Sequence, residues 1–371
     1  MNADIYTRSS YNYDIPDHLI AQSPSELRDQ SRLLQRTAKG DITHHHFQDL
    51  VEILAEDTLI IMNNTKVYQA RIFGNVDTGA KAELLLLEYD SNSDEWKCLG
   101  KPVKKLKIGR TILFQEGLIA EVTELPTHSK ELAPFKVKFN LGHDELHLWL
   151  ERHGIIPLPP YIRRPRDGDA MRSEDQRRYQ TVYAEHRGSV AAPTAGLHFT
   201  KDLLRKLEQK NIHIAYTTLH VGAGTFLPVK SDDIREHKMH TEHYLVPSET
   251  LKKINTALTT KQKIVCVGTT SLRCLESFYL ESEQRGCPMN HLTDTWHQTN
   301  LFIYPNEDDI PYKPWAIDGL LTNFHQPESS LLMLVSALIG SKEVKTLYQN
   351  AIDENYRLFS YGDASLLWLP K

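Results

Sequence analysis

Residues 264–271 read Ile-Val-Cys-Val-Gly-Thr-Thr-Ser, and their order decides the fold class. Four apolar residues make a fully buried strand, the glycine ends it, and the hydroxyl residues suit the start of a helix. A buried strand feeding straight into a helix is the building unit of an α/β sheet. The same pattern recurs on both sides. Upstream, Thr200 is placed to cap a helix carrying Leu203, Leu204 and Leu207, and residues 212–221 follow as a strand. Ser248 is placed to cap a helix with Leu251, Ile254, Ala257 and Leu258 on one face. Downstream, Ser329 opens a strongly apolar helix that Gly340 closes. Residues 58–62, Thr-Leu-Ile-Ile-Met, add a further buried strand near the N-terminus.

Between residues 70 and 142 the texture changes. Phe135, Val137 and Phe139 alternate with Lys136, Lys138 and Asn140, the period of a half-buried strand. Leu118, Ala120 and Val122 repeat that alternation, and residues 82–89, 94–99 and 111–114 supply three more short strands between Gly- and Asn-bearing turns. Short strands at this spacing make a small barrel or sandwich. Helical periodicity returns after Glu145 and ends near Gly154; the proline-rich stretch 157–178 then reads as one long loop. The organisation is an α/β domain interrupted by a β-rich insert.

The chain has 371 residues, with 43 Lys+Arg against 48 Asp+Glu, a net charge of −5. At about 150 residues per domain that length favours two domains. Hydrophobic residues at 40% and charged residues at 25% exclude a disordered chain. The longest nearly apolar run, 331–340, is shorter than the about 20 residues of a membrane helix. Residues 1–10 lack the basic head and apolar core of a secretory signal. Cys98, Cys266, Cys274 and Cys287 form no C-x-x-C pair, which suits a reducing, cytoplasmic setting rather than a zinc ribbon. The triples His237/His240/His243 and His44/His45/His46 lack the accompanying ligand spacing of a metal site, so no metal is expected.

Charge is distributed unevenly. Lys97, Lys101, Lys104, Lys105, Lys107 and Arg110 fall in one acid-free stretch. Residues 163–187 hold seven arginines, among them Arg163 and Arg164, against five acids. Each cluster suits either a solvated face or a phosphate backbone. Gly222-Ala223-Gly224-Thr225-Phe226 ends a strand, but Pro228 prevents the helix that a dinucleotide-binding turn requires. What remains is a tight turn or backbone close to a ligand. Gly268-Thr269-Thr270-Ser271 joins free N–H groups to a helix dipole beside Arg273, suiting a carboxylate or phosphate, although ordinary capping explains the same residues. The strings 189–199, 318–325 and 361–363 set polar side chains among small and apolar ones.

Together these strings resemble the S-adenosylmethionine:tRNA ribosyltransferase-isomerases of queuosine biosynthesis. The resemblance runs from Tyr13-Asp14-Ile15-Pro16 and Arg28-Asp29-Gln30-Ser31-Arg32-Leu33-Leu34 to Phe359-Ser360-Tyr361-Gly362-Asp363-Ala364. Between them lie 179–184, 188–199, 220–229, Met239-His240, 268–277 and 318–325, which makes nine strings in order. Glu328 departs from the pattern by standing where the family usually has lysine, and the loop at 167–176 is a few residues long.

The resemblance implies a three-layer α/β core domain (1–68 and 150–371) with an inserted small β-barrel domain (69–149), acting as a cytoplasmic monomer. It also implies transfer and isomerisation of the ribosyl part of S-adenosylmethionine (AdoMet) onto 7-aminomethyl-7-deazaguanine at the wobble position of tRNA. Epoxyqueuosine, adenine and methionine are the products, and AdoMet is a substrate with no further cofactor. That chemistry requires a base for the proton beside the sulfonium, for which His198, His220 and His325 are candidates. It requires an acid for the departing adenine, for which Asp318 and Asp363 are candidates. Gly222, Gly224, Thr225, Thr269, Thr270, Ser271, Arg273 and Asn323 are the expected substrate-binding residues, with Arg273 offering a bidentate fork to the methionine carboxylate. Lys104, Lys105, Lys107, Arg163 and Arg164 are expected to meet RNA phosphates. An AdoMet-dependent RNA methyltransferase and a non-catalytic RNA-binding protein are the alternatives; the first would need the helix-opening glycine turn this chain lacks.

Overall fold

A computed structural model describes residues 4–101, 106–125, 134–164, 169–222, 224 and 229–370. The core domain opens with β1 (Arg32–Arg36), β2 (Ile42–His46), the single turn α1 (Leu50–Ile53), β3 (Leu59–Asn63) and β4 (Thr65–Val67). The barrel strands follow: β5 (Arg71–Val76), β6 (Lys81–Asp90), β7 (Glu95–Lys101), β8 (Thr111–Leu113), β9 (Ile119–Glu124) and β10 (Phe135–Phe139). After α2 (His143–His153), α3 (Asp169–Arg178) and β11 (His186–Ser189) come α4 (Lys201–Gln209), β12 (His213–His220) and β13 (Glu242–Leu245). The chain ends with α5 (Ser248–Thr260), β14 (Ile264–Val267), α6 (Thr269–Arg285), β15 (His297–Thr299), β16 (Gly319–Asn323), α7 (Ser330–Ile339), α8 (Ser341–Asp353) and β17 (Ala364–Trp368).

Nine strands form one mixed sheet in the order β15-β13-β12-β3-β14-β16-β17-β1-β2. Its centre, β12-β3-β14-β16, is parallel. Successive residues of β3 face opposite sides, which produces three layers. Leu59 and Ile61 pack with Ile254 of α5, Leu272 of α6 and the apolar face of α7. Ile60 and Met62 pack with Leu50 of α1 and with Leu203 and Leu207 of α4. All five residues of β3 and all four of β14 are buried, which is why these strands read as continuous apolar runs rather than alternating ones. Each such Leu, Ile or Val contributes about 1.5–3 kcal/mol by leaving water.

The insert is a closed antiparallel barrel in the order β10-β7-β6-β5-β8-β9. Phe135, Val137 and Phe139 point into it, as their alternation requires, together with Ile72, Leu84, Cys98 and Val122. Leu146, Trp149 and Leu150 of α2 close one end, and Trp149 Nε1 donates to the carbonyl of Gln115 at 3.1 Å.

Thr200 caps α4 as expected, accepting from the Leu203 N–H at 3.0 Å. Two local expectations are corrected. Ser248 is the first residue of α5 rather than its cap, and the preceding position is Pro247. The stretch 157–178 is not one loop, because its second part is α3. That helix carries too few apolar residues for a periodic signal. Among the described residues no helix is long and apolar enough to cross a membrane.

Candidate functional site

The four parallel strands run in one direction, so their carboxyl ends meet along one sheet edge, where open α/β sheets bind ligands. A cavity open to solvent lies there. Gly268 turns the chain from β14 into α6 at φ +83°, a conformation that favours glycine. The start of α6 thus faces the cavity through Thr269, Thr270 and Arg273, while the end of β16 brings Asn323 and His325. Tyr161, Phe359 and Ser360 close the side formed by the loop before β17, and Ser329 and Ser330 close the α7 side.

No side chain caps α6, and the N–H groups of a helix's first turn have no partners within the helix. The capping explanation of 268–271 therefore fails for Thr270: its Oγ1 is buried and has no hydrogen-bond partner. Asn323 donates to the Phe359 carbonyl at 3.0 Å, while its Oδ1 is unpartnered. Arg273 is held on two sides. Its Nε donates to the Leu301 carbonyl at 3.1 Å and its Nη1 to Glu242 Oε2 at 2.5 Å, leaving Nη2 buried and unpartnered. Glu242 also accepts from the Gly222 N–H at 3.0 Å. The expected bidentate fork is thus narrowed to one available nitrogen, Nη2, because a carbonyl holds Nε and Glu242 holds Nη1. Ser271 Oγ donates to the Val267 carbonyl at 2.7 Å and takes no part in lining the cavity.

His325 lines the cavity with Nε2 3.0 Å from Thr322 Oγ1. Burial lowers its pKa to about 3, so the ring is neutral. His220 and Gly222 belong elsewhere, in a cleft between the barrel and the core that also holds Gly224, Trp96, His147 and Glu242. Val221 borders both spaces. The His220 ring stacks on Trp296 with centroids 4.7 Å apart, and burial lowers its pKa to about 4, helped by nearby His243 and His186.

His198 lies in a third, smaller pocket that meets the cavity at Ser360. Its Nδ1 is 2.7 Å from Ser31 Oγ. Its Nε2 and Asn323 Oδ1 are neighbours without a formed hydrogen bond. Burial, reinforced by Arg28 and Arg357, lowers its pKa to about 4.

Both candidate acids are placed away from this chemistry. Asp318 precedes β16 at the opposite sheet edge, about 16 Å from Asn323 at about 3.3 Å per residue. There its carboxylate meets Lys263 Nζ at 2.5 Å and the Ile264 N–H at 3.0 Å. Asp363 accepts from the Arg32 and Arg357 N–H groups, each at 2.8 Å, and clamps the loop before β17 onto β1. Its pKa is raised by burial as an acid would need, but both oxygens serve the backbone.

The expected RNA contacts divide similarly. Lys107 and Arg163 are exposed. Arg164 is engaged bidentately by Asp175 at 2.7 and 2.8 Å, so it is corrected from a phosphate ligand to a partner in a local ion pair. Lys104, Lys105 and Thr225 lie outside the described residues. Glu328 points away from the substrate reading, pairing with Arg8 at 3.3 Å. Glu242 is the residue that sequence reasoning missed. It sits in a histidine-rich stretch with no apolar alternation, and its partner lies 31 positions away.

Fold and site define an α/β protein with a polar ligand cavity at the carboxyl edge of its sheet and a barrel set beside it. The chain belongs to the queuosine biosynthesis protein family, whose profile matches residues 8–367. It is 45% identical over 362 residues to a protein of Treponema denticola named S-adenosylmethionine:tRNA ribosyltransferase-isomerase, covering 96% of this chain and 98% of that one. A protein of the same name from Clostridioides difficile is 42% identical, again covering 96% and 98%. The crystal structure of S-adenosylmethionine tRNA ribosyltransferase from Thermotoga maritima is similar at 31% identity and a TM-score of 0.51, covering 97% of this chain and 100% of that one.

Proposed function

We propose that this chain transfers and isomerises the ribosyl moiety of AdoMet onto 7-aminomethyl-7-deazaguanine at the wobble position of tRNA, yielding epoxyqueuosine, adenine and methionine. The names carried by its relatives support a role in queuosine biosynthesis with AdoMet and tRNA as substrates. One observation carries the assignment of the AdoMet site: the cavity gathers two buried polar atoms without a protein partner, Thr270 Oγ1 and Arg273 Nη2, at an uncapped helix start. The methionine carboxylate takes the α6 N–H groups and the Arg273 N–H. Glu242 neutralises the rest of Arg273, so the guanidinium does not repel the sulfonium and ammonium of the same ligand.

Of the three candidate histidines, His325 is the one lining this cavity, and its ring is neutral. The bound carboxylate favours its protonated form, as any nearby opposite charge does. Tyr161, whose Oη lies 2.5 Å from Ser360 Oγ, walls the cavity beside it.

Product analysis tests the reading. With AdoMet labelled in its adenine and methionine parts, and tRNA carrying the aminomethyl base, adenine and methionine are expected together, one each per modified tRNA. Methylated RNA with S-adenosylhomocysteine would mean a methyltransferase instead, and absence of turnover a binding protein.

A further inference from the structure

Three strings far apart in sequence, around Arg28, Arg178 and Arg357, converge on the small pocket beside His198. Arg28 donates to the Leu197 and Arg177 carbonyls at 2.9 and 2.8 Å. Arg178 donates to the Glu26 carbonyl at 3.1 Å and to the Ser25 carbonyl. Arg357 donates to Ser25 Oγ at 3.1 Å and to the Ser23 carbonyl. Among the described residues, none of these three guanidiniums meets a carboxylate within ion-pair distance. Their side-chain hydrogen bonds go to neutral groups, and the carboxylates that act on Arg178 and Arg357, Glu174 and Asp363, do so from beyond ion-pair distance, so the charge of the cluster is only partly compensated. Arg178 is 9% exposed, yet its Nε is buried with no partner. Burial, and repulsion from Arg178 and Arg177, draw Arg28 down to about 10. The nearest contrast is Arg164, which Asp175 neutralises.

We infer that the small, solvent-open pocket lined by Arg28, Arg178, Ser25 and His198 takes a backbone phosphate of the tRNA at its mouth. This rests on the functional reading above. A cluster of arginines without ion-pair partners attracts a polyanion and repels a ligand of net positive charge. AdoMet, with two cationic groups and one carboxylate, is such a ligand. Hence the pocket serves the RNA and the cavity serves AdoMet. The two spaces share Ser360, so a phosphate held here anchors the nucleic acid beside the AdoMet cavity.

The test is the salt dependence of binding to tRNA carrying the aminomethyl base, for native chain, Arg178→Gln and Arg177→Gln. Arg177 is exposed, so its replacement leaves the fold intact even where Arg178→Gln does not; melting curves check both. Losing one phosphate contact lowers the slope of log affinity against log salt by about 0.7–0.9 and weakens binding roughly tenfold at low salt. The Arg178→Gln variant should show that loss in full and Arg177→Gln part of it, each with AdoMet affinity unchanged. Unchanged slopes in folded variants overturn the pocket assignment, whereas a native chain that fails to bind this tRNA overturns the functional reading itself. Inorganic phosphate, added at constant ionic strength, should raise the melting temperature no more than chloride does. A saturable rise that vanishes in Arg178→Gln, with an unchanged tRNA slope, would make this a free-phosphate site and contradict the inference.

Discussion

Two arginine sites, meeting at Ser360, solve opposite electrostatic problems. Arg273 is buried against Glu242, and the pair presents one spare nitrogen, Nη2, to a cavity without a net charge. Arg28, Arg178 and Arg357 are tied to carbonyls and a hydroxyl and meet no carboxylate within ion-pair distance, so most of their charge remains. The difference teaches how one sheet edge sorts two substrates. A ligand bearing a sulfonium, an ammonium and a carboxylate needs donors without excess positive charge, and a phosphate backbone needs the excess.

The comparison breaks most visibly if compensation is removed. Glu242→Ala leaves Arg273 buried and unpaired, and should cost about 3–5 kcal/mol of unfolding free energy, read from urea titrations. Replacing both partners with apolar residues, Glu242→Leu with Arg273→Met, should recover most of that stability while AdoMet binding stays lost. A double variant that binds AdoMet normally would show that the pair is only structural.

A second prediction concerns acid. His198 and His220 have folded-state pKa values lowered to about 4 and His325 to about 3. The unfolded chain therefore takes up protons at these positions that the folded chain refuses. Stability is full above pH ~6.5 and falls as pH drops towards the folded values, by about 1.4 kcal/mol per pH unit for each histidine. Asp363, raised by burial, works in the opposite sense just above its ordinary range. His198→Phe should flatten the profile by about 1.4 kcal/mol per pH unit, one histidine's share, in urea titrations between pH 6.5 and 4.5.

The smallest effect is on the AdoMet side. Thr270→Val removes a hydroxyl that has no partner in the protein, so stability should hold or rise slightly. AdoMet affinity should fall by about 0.5–1.5 kcal/mol, the net worth of one hydrogen bond, measured calorimetrically. Lost stability with unchanged affinity would place that hydroxyl in the fold and not in the site.

Much of this architecture was legible in the sequence because burial leaves a periodic trace. Residues 264–267 and 58–62 announced central strands, and the alternation around Val137 announced the barrel wall. The strand β5 left no such trace. Gly74 interrupts it, and a Cβ there would sit 2.5 Å from the Leu113 carbonyl oxygen, so close packing within the barrel forbids the side chain that would have marked it. The start of α6, Asn323 and His325 were legible as a polar cluster at an α/β turn. Glu242, and the meeting of Arg28 with Arg178, were not. Both arise from contacts between distant segments, and neither charge compensation nor its absence can be read from residue types. The same limit explains Asp318 and Asp363, acids beside recognisable strings whose carboxylates hold the backbone.

The account stands most directly on whether the Arg273 charge is neutralised for the sake of a cationic ligand. Calorimetric titration of Glu242→Gln with AdoMet, and with its thioether counterpart S-adenosylhomocysteine, measures this. The glutamine keeps the shape and can still accept from the Gly222 N–H, but it removes the compensating charge. AdoMet should then lose clearly more affinity than the thioether, which lacks the sulfonium and shares the carboxylate. Equal losses for the two ligands would contradict the account.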